Sequence, residues 1–401
     1  MVAAIIIFAA TYAVVAIGKV PGLQLDRAGV ALLGASLMIA SGTLSLDEAY
    51  RAVDFDTITL LLGMMIVVAN LRLSGFFRLV NAWVMQRTHR PLALLVVIAL
   101  VSGVFSAFLV NDTICLVLTP LVLDLVLPLK RNPIPYLLAV AMASNVGSVA
   151  TITGNPQNIV IGSLSDIPYG RFAAALAPIA AIGVVSTVTL IALMHPTEFL
   201  SAERLPITGS TARYHRPLVL KAVFVTLVMI VAFFLGHPAA VVALLGGSAL
   251  LLTGRVKAVK VYREVDWPLL VMFAGLFIVV AGFEKAVLTP PTLAAVHRLP
   301  LDDVAFLTVF TALLSNLVSN VPAVLALKPF ITQLPNPEKA WLVVAMASTL
   351  AGNLTLVGSV ANLIVVQRAR ARGVTISFWR YFLVGAPLTL LTLAAGVLLL
   401  R

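Results

Sequence analysis

Ten stretches of this chain carry apolar runs of membrane-spanning length, and that surplus of hydrocarbon-like surface limits the fold more than any other feature. The runs lie near residues 2–19, 28–43, 58–74, 134–165, 172–194, 217–236, 239–254, 268–284, 340–366 and 376–400. Hydrophobic residues make up 61% of the 401 positions and charged residues 11%, with a mean hydropathy of +1.08. A soluble domain is near half apolar and a quarter charged. A bilayer takes up such a surplus, so the runs are expected to cross it as α-helices. Two further apolar stretches, 91–129 and 303–334, are interrupted in the middle by polar residues. Segment 75–90 mixes apolar with basic residues (Phe77, Arg78, Trp83, Arg87, Arg90) and predicts an interfacial helix. The hydrophilic stretch 196–215 is the linker that divides the chain into halves.

Several classes lack their residues. Cys115 is the sole cysteine, which excludes a disulfide framework or a cysteine metal site. The five histidines (His89, His195, His215, His237, His297) fall in or beside predicted loops. No His, Glu or Cys cluster stands within a span to hold a metal or activate a nucleophile, so an enzyme is not expected. A Gly-rich phosphate loop is also missing, which argues against direct ATP drive by this chain. The net charge of +11 is expected to mark cytoplasmic loops and not nucleic-acid binding. The apolar stretch Val2 to Gly18 has no basic residue before it, so a cleaved signal peptide is not expected.

The two halves repeat. Val30-Ala31-Leu32-Leu33-Gly34 matches Val242-Ala243-Leu244-Leu245-Gly246 at an offset of 212, and Val53-Asp54 matches Val265-Asp266 at the same offset. At 209, Asn111 meets Asn320 and Pro120 meets Pro329; at 204, Gly154 meets Gly358 and Asn158 meets Asn362. With the N-terminus outside, most Lys and Arg fall on the cytoplasmic side, including Arg72, Arg78, Arg87, Lys130, Arg131, Arg255, Lys257 and Arg368. Each half then has five crossings plus one hairpin. An odd count makes the second copy enter from the opposite face. The expected fold is therefore all-α and membrane-integral. It comprises two inverted repeats, 1–195 (hairpin 91–129, broken helix 134–165) and 216–401 (hairpin 303–334, broken helix 340–366). The linker 196–215 is placed in the cytoplasm and both termini outside it.

The interruptions carry the chemistry. The first reads Val110-Asn111-Asp112-Thr113 and its partner Ser319-Asn320-Val321-Pro322. Irregular backbone at membrane depth is tolerated only where protein or a water-filled cavity covers it. Such a break exposes carbonyls, which can coordinate a cation, and a helix N-terminus, which favours an anion. Plain helix–helix turns capped by Asn are the alternative. The second pair of breaks, Thr153-Gly154-Asn155-Pro156-Gln157-Asn158 and Val357-Gly358-Ser359-Val360-Ala361-Asn362, predicts discontinuous helices; a proline kink or small-residue packing is the alternative. Asp112 is an ionisable group inside the membrane and so a candidate for coupling a proton or sodium ion; it could also serve only as an N-cap. Lys328 and Asp124 could snorkel, and Glu284 and Lys285 stand at a span end and read as interfacial.

At these residues the chain resembles the ion transporter superfamily of arsenite/antimonite permeases, citrate-type transporters and divalent anion/sodium symporters. Val110-Asn111-Asp112-Thr113 followed by Leu118-Thr119-Pro120 looks most like the arsenite-permease version. Ser319-Asn320-Val321 is similar to the Ser-Asn-Thr hairpin tip of the symporters, and Gly154-Asn155-Pro156-Gln157-Asn158 to the family's unwound segment. The resemblance implies a scaffold and a transport domain that slides as an elevator, often within a homodimer. It implies substrate and ion contacts among Asn111, Asp112, Thr113, Asn145, Gly154, Asn155, Asn158, Ser319, Asn320, Gly358 and Asn362, with a possible sodium site at Asn111, Asp112 and Asn320. The first tip departs from the symporters by its added carboxylate, which would repel a dianion unless protonated or paired. The expected function is secondary transport of a small inorganic or organic anion, or of arsenite, coupled to H+ or Na+ in the plasma membrane with no other cofactor. A Na+/H+ antiporter of the same fold and a channel are the alternatives.

Overall fold

A computed structural model describes residues 2–17, 25–199, 214–252, 255–287 and 299–401. Most of the expected linker, His297 and the ends of the first and seventh predicted spans lie outside these residues. The described chain is helical, with no strand. The first half runs α1 (Val2–Ile17), α2 (Arg27–Ala40), α3 (Leu46–Ala52), α4 (Phe55–Ser74), α5 (Phe76–Arg87), α6 (Pro91–Leu109), α7 (Asn111–Val126), α8 (Pro133–Ser148), α9 (Pro156–Leu164) and α10 (Tyr169–Met194), with the short α11 (Pro196–Phe199) after it. The second half runs α12 (Arg216–Phe234), α13 (Ala239–Leu251), α14 (Ala258–Tyr262), α15 (Trp267–Val287), α16 (Val304–Val318), α17 (Asn320–Ile331), α18 (Pro337–Leu350), α19 (Val360–Arg370) and α20 (Phe378–Leu400).

The element order recurs, and so do the signals that start the elements. Asp54 caps α4 by accepting from Thr57 N at 3.0 Å, and Asp266, 212 positions on, accepts from Leu269 N at 3.0 Å beside the start of α15. Asn132 and Asn336 cap α8 and α18, each followed by a proline whose missing N–H suits the first helical position. Both apolar stretches break where polar residues interrupt them. One residue, Val110, separates α6 from α7, and one, Ser319, separates α16 from α17.

Six helices among the described residues are long and apolar enough to cross a membrane: α4, α6, α10, α12, α15 and α20. Six is fewer than the ten apolar runs. The shortfall has a structural cause. α1, α2 and α13 have 16, 14 and 13 residues, roughly 20–24 Å at 1.5 Å per residue, and two other runs are divided into α8 plus α9 and α18 plus α19, while α6 comes from the interrupted stretch 91–129 and is not one of the ten.

Packing sorts the helices into two groups. α1–α4 and α12–α15 form one, in which α2 lies on α15 and α4 on α13. α6–α10 and α16–α20 form the other, in which α6 lies on α8, α10 on α20 and α7 on α19. Contacts between the groups are sparser, chiefly α4 with α9, α15 with α17 and α1 with α16, and α5 touches both α4 and α7.

The first group is held by two matched close approaches. A Cβ on Gly63 of α4 would meet the Ala243 carbonyl oxygen of α13 at 2.5 Å, and one on Gly275 of α15 would meet the Ala31 carbonyl carbon of α2 at 2.6 Å. Each half thus supplies a glycine that receives the other half's alanine backbone. Small residues permit such approach, and tight packing stands in for the hydrophobic drive that lipid removes. Gly63→Val and Gly275→Val are each expected to cost about 1–3 kcal/mol by overpacking. Thermal melting of the purified protein in detergent should register similar losses for both, whereas Gly42→Val, at a position with open space, tests only turn strain from its φ of +70°.

Candidate functional site

Both hairpin tips adopt backbone that side chains rarely take. Val110 has φ 62° and Ser319, 209 positions on, has φ 78°. Positive φ is a genuine outlier for a β-branched residue, and such conformations cost of order 1–3 kcal/mol where surrounding structure enforces them. What the turn achieves is to start α7 and α17 at once, with no side-chain cap on either. At the start of α7 the Asp112 N–H turns back to Asn111 Oδ1 at 2.9 Å and the Thr113 N–H to Val110 O at 3.1 Å, so the tip satisfies part of its own helix end.

That space is one cavity of about 480 Å³. Asn111 and Asp112 of the first tip line it opposite Ser319 and Asn320 of the second. Pro156 and Gln157 enter it from the start of α9, and Ser359 and Val360 from the start of α19. Four helix N-termini therefore converge on one point, where their partial positive charges add. Arg27, at the start of α2, also lines the cavity and faces the same space as Asp112.

A buried amide network ties the four ends together across the halves. Asn111 Nδ2 donates to Asn145 Oδ1 at 2.9 Å. Asn145 Nδ2 in turn donates to Asn353 Oδ1 and Asn362 Oδ1, each at 3.0 Å, and Ser359 Oγ donates to Asn145 Oδ1 at 3.1 Å. The reverse link runs from the second tip. With the Asn320 amide turned to satisfy both its ends, Nδ2 lies 3.3 Å from Ser348 O and 3.2 Å from Gly358 O, and Oδ1 accepts from Gln157 Nε2 at 3.3 Å. Gln157 and Asn155 both donate to Thr349 Oγ1, at 3.0 and 3.2 Å.

Asn158 and Asn362 have a different task. Asn158 Nδ2 donates to Ser148 O at 3.1 Å and Thr151 O at 2.9 Å. Asn362 Nδ2 donates to Gly352 O at 2.8 Å and Thr355 O at 3.2 Å, the equivalent carbonyls 204 positions on. Each asparagine closes the C-terminal end of the helix before its own break. Gly154 fits this closure because a Cβ there would stand 2.0 Å from Ser148 O; at Gly358 the matching contact, Gly352 O, is 3.0 Å away.

The sequence-predicted residues thus fall into three places. Asn111, Asp112, Ser319 and Asn320 line the cavity. Asn145, Gly154, Asn155, Asn158, Gly358 and Asn362 are absent from its lining and stand in the buried framework behind it. Thr113 lines a second cavity of about 590 Å³ with Arg72, Glu264 and Asp266. Asp112 also faces this second space, so it stands in the wall between the two cavities. Sequence reasoning missed Arg27, Gln157 and Ser359 as lining residues, and Thr349 and Asn353 as network members. One signal was available for Arg27: at the 212 offset its counterpart is Ala239, so the repeat breaks at a lone basic residue. Among the described residues no group of three His, Cys, Asp or Glu is placed to hold a metal ion.

A multi-helix membrane fold around a small cavity, with helix N-termini in its wall, is the architecture of a membrane transporter. The chain belongs to the citrate transporter family (CitMHS), whose profile matches residues 12–351. It is 31% identical over 422 residues to the uncharacterized transporter MT2759 of Mycobacterium tuberculosis (strain CDC 1551 / Oshkosh), covering 99% of this chain and 97% of that one. It is 30% identical over 451 residues to the silicon efflux transporter LSI3 of Oryza sativa subsp. japonica, covering 94% and 93%. Its fold matches the crystal structure of the YdaH transporter of Alcanivorax borkumensis, described as having an unusual topology, at a TM-score of 0.64 and 16% identity over 99% and 95% of the two chains.

Removing a framework asparagine takes two hydrogen bonds from buried carbonyls, Thr151 O and Thr355 O keeping the N–H of Gly154 and Gly358, at about 0.5–1.5 kcal/mol per bond. Asn158→Ala and Asn362→Ala are each expected to lower the melting midpoint of the purified protein more than Asn111→Ala does.

Proposed function

We propose that the chain is a secondary active transporter that moves a small anion, or arsenite, across the plasma membrane by alternating access, coupled to H+ or Na+. The observation that carries this reading is the convergence of four helix N-termini and Arg27 on one polar cavity between the halves. Helix N-termini aimed at a midplane cavity stabilise negative charge, and the exposed N–H groups give direct hydrogen bonds to oxyanions. The tip amides of Asn111 and Asn320 supply donors and acceptors for a neutral hydroxylated species too, in keeping with the silicon efflux activity named for the rice relative.

Asp112 is the coupling residue in this reading. Its carboxylate opposes an anion in the cavity until a cation or proton neutralises it. The second cavity, with Asp266 and Glu264 in its wall, supplies a route to Asp112 that does not pass through the substrate space. Sodium is the other candidate, held between Asn111, Asp112 and Asn320.

The recurring order of elements supports two inverted repeats, 1–195 and 216–401, each with a re-entrant hairpin (α6–α7 and α16–α17). The two packing groups support an elevator, in which α6–α10 and α16–α20 carry the cavity past α1–α4 and α12–α15. A homodimer with both termini outside the cytoplasm completes the reading.

The test is counterflow in proteoliposomes with labelled arsenite, phosphate and citrate as separate probes. Asn111→Ala and Asn320→Ala should each lower uptake of the transported probe by roughly 5- to 100-fold, the equivalent of about 1–3 kcal/mol of lost hydrogen bonding. Full transport by both variants would remove the tips from the site. Asp112→Asn should keep binding but lose the dependence of uptake on pH or sodium; an unchanged dependence would assign coupling elsewhere.

A further inference from the structure

Among the described residues an ion pair joins the two groups of helices away from the cavity. Arg72 with Glu264 and Lys285 with Glu48 are pairs within the first group, and Arg372 with Asp124 and Arg171 with Glu338 are pairs within the second. Lys328, on α17, reaches across to Glu284, on α15, with Nζ 3.4 Å from Oε1. Both side chains are largely covered, at 32% and 21% exposure.

The surroundings of the pair are apolar and incompletely satisfied. Tyr12 of α1 stacks on Phe8, and Phe8 stacks on Phe283, the residue before Glu284, each with centroids 4.1 Å apart. The Tyr12 side chain is 4% exposed. Yet the Tyr12 hydroxyl and Glu284 Oε1 are both buried without a hydrogen-bond partner. Two oxygens on neighbouring helices, one of them a carboxylate oxygen, are thus without a donor, and Lys328 supplies positive charge at 3.4 Å without making a hydrogen bond.

Other charges around α15 are already committed or distant. Lys285 donates to Glu48 of α3 at 2.6 Å, and this bond, with the Ser45 backbone N–H behind it, pulls the Glu48 carboxyl down to about 2. α2 and α4 carry their charges (Arg27, Asp56, Arg72) at their ends. Glu284 is therefore left to Lys328 and Tyr12.

The geometry points to Glu284 as a second cation-taking carboxylate, for which Lys328 is the tethered counter-ion in this conformation and a monovalent cation, proton or sodium, is the replacement when α17 moves away from α15. The inference rests on the elevator reading for that movement. Separation without replacement would leave a carboxylate uncompensated in an apolar setting, which is strongly unfavourable. The replacing cation removes that penalty. Lys328 is carried with α17. The site thus links cation occupancy to the position of the moving group, independently of Asp112.

The test needs no substrate. Lys328→Met leaves Glu284 without its tethered cation, so the melting midpoint of this variant in detergent should gain a dependence of a few degrees on pH or on sodium beyond that of the wild type. The double variant Lys328→Met with Glu284→Gln should lose that added dependence. Sodium chloride against choline chloride at fixed pH, and pH at fixed sodium, distinguish the two cations. Identical responses in single and double variants would overturn the proposal. Should Lys328→Met fail to fold, the charge swap Lys328→Glu with Glu284→Lys is compared with Lys328→Glu alone. Recovery of folding by the swap supports the pairing, and no recovery overturns it. A protein that passes this test but transports none of the probes above would refute the transport reading alone.

Discussion

A helix that stops inside a bilayer leaves carbonyls with no water to receive them, and the rest of this structure depends on how that penalty is met. Asn158 and Asn362 meet it with the same two donations, to Ser148 and Thr151 in one half and to Gly352 and Thr355 in the other. In hydrocarbon each unpartnered backbone group costs several kcal/mol. Closing the C-terminal end of α8 and α18 from within lets α9 and α19 begin afresh nearby, with their N-termini turned inward. The cavity is thus a consequence of backbone satisfaction: with the carbonyl ends sealed by asparagine, α9 and α19 restart beside it under their own caps, Asn155 and Ser359.

The amide network then makes the cavity a joint product of both halves. Asn111 touches the second break only through Asn145, and Asn320 touches the first through Gln157. Neutral amides suit this position. They carry donors and acceptors in one group, need no counter-ion, and pass a change in one tip to the opposite break without a charge being buried. The ionic groups, Arg27 and Asp112, sit at the cavity wall, where occupancy by an anion or a cation changes their balance directly.

Much of this was legible in the sequence, and the rest was not for identifiable reasons. Asn111, Asn320, Gly154 and Asn158 stood out because a polar knot in an apolar run has no purpose except at a break, and the repeat doubled each signal. Their division of labour did not stand out. Asn158 and Asn111 are the same residue type in similar settings, and only the direction of each amide separates a framework group from a lining group. Arg27 did not stand out because a basic residue at the start of a span is ordinary. α2 and α13 read as full crossings because apolar composition does not report that a helix ends after 14 or 13 residues. Lys328 read as a charge that could snorkel and Glu284 as interfacial, because their pairing joins α15 and α17, separate elements of the second half.

The two groups of helices are bonded in contrasting ways, and the contrast bears on motion. Within the first group, Gly63 on Ala243 and Gly275 on Ala31 bring backbones into contact, a geometry that resists sliding because any shift replaces a glycine with a side chain. Between the groups the contacts are sparser, and at the α15–α17 boundary a 3.4 Å ion pair stands beside an orphaned tyrosine hydroxyl. In the elevator reading proposed above, a boundary held by few short-range bonds is the one that gives way. The same boundary lies on α17, whose first residue is Asn320 of the cavity. A displacement that breaks Lys328 from Glu284 therefore moves one tip of the site as a rigid extension of its helix. That rigid link connects charge at the boundary to the geometry of binding.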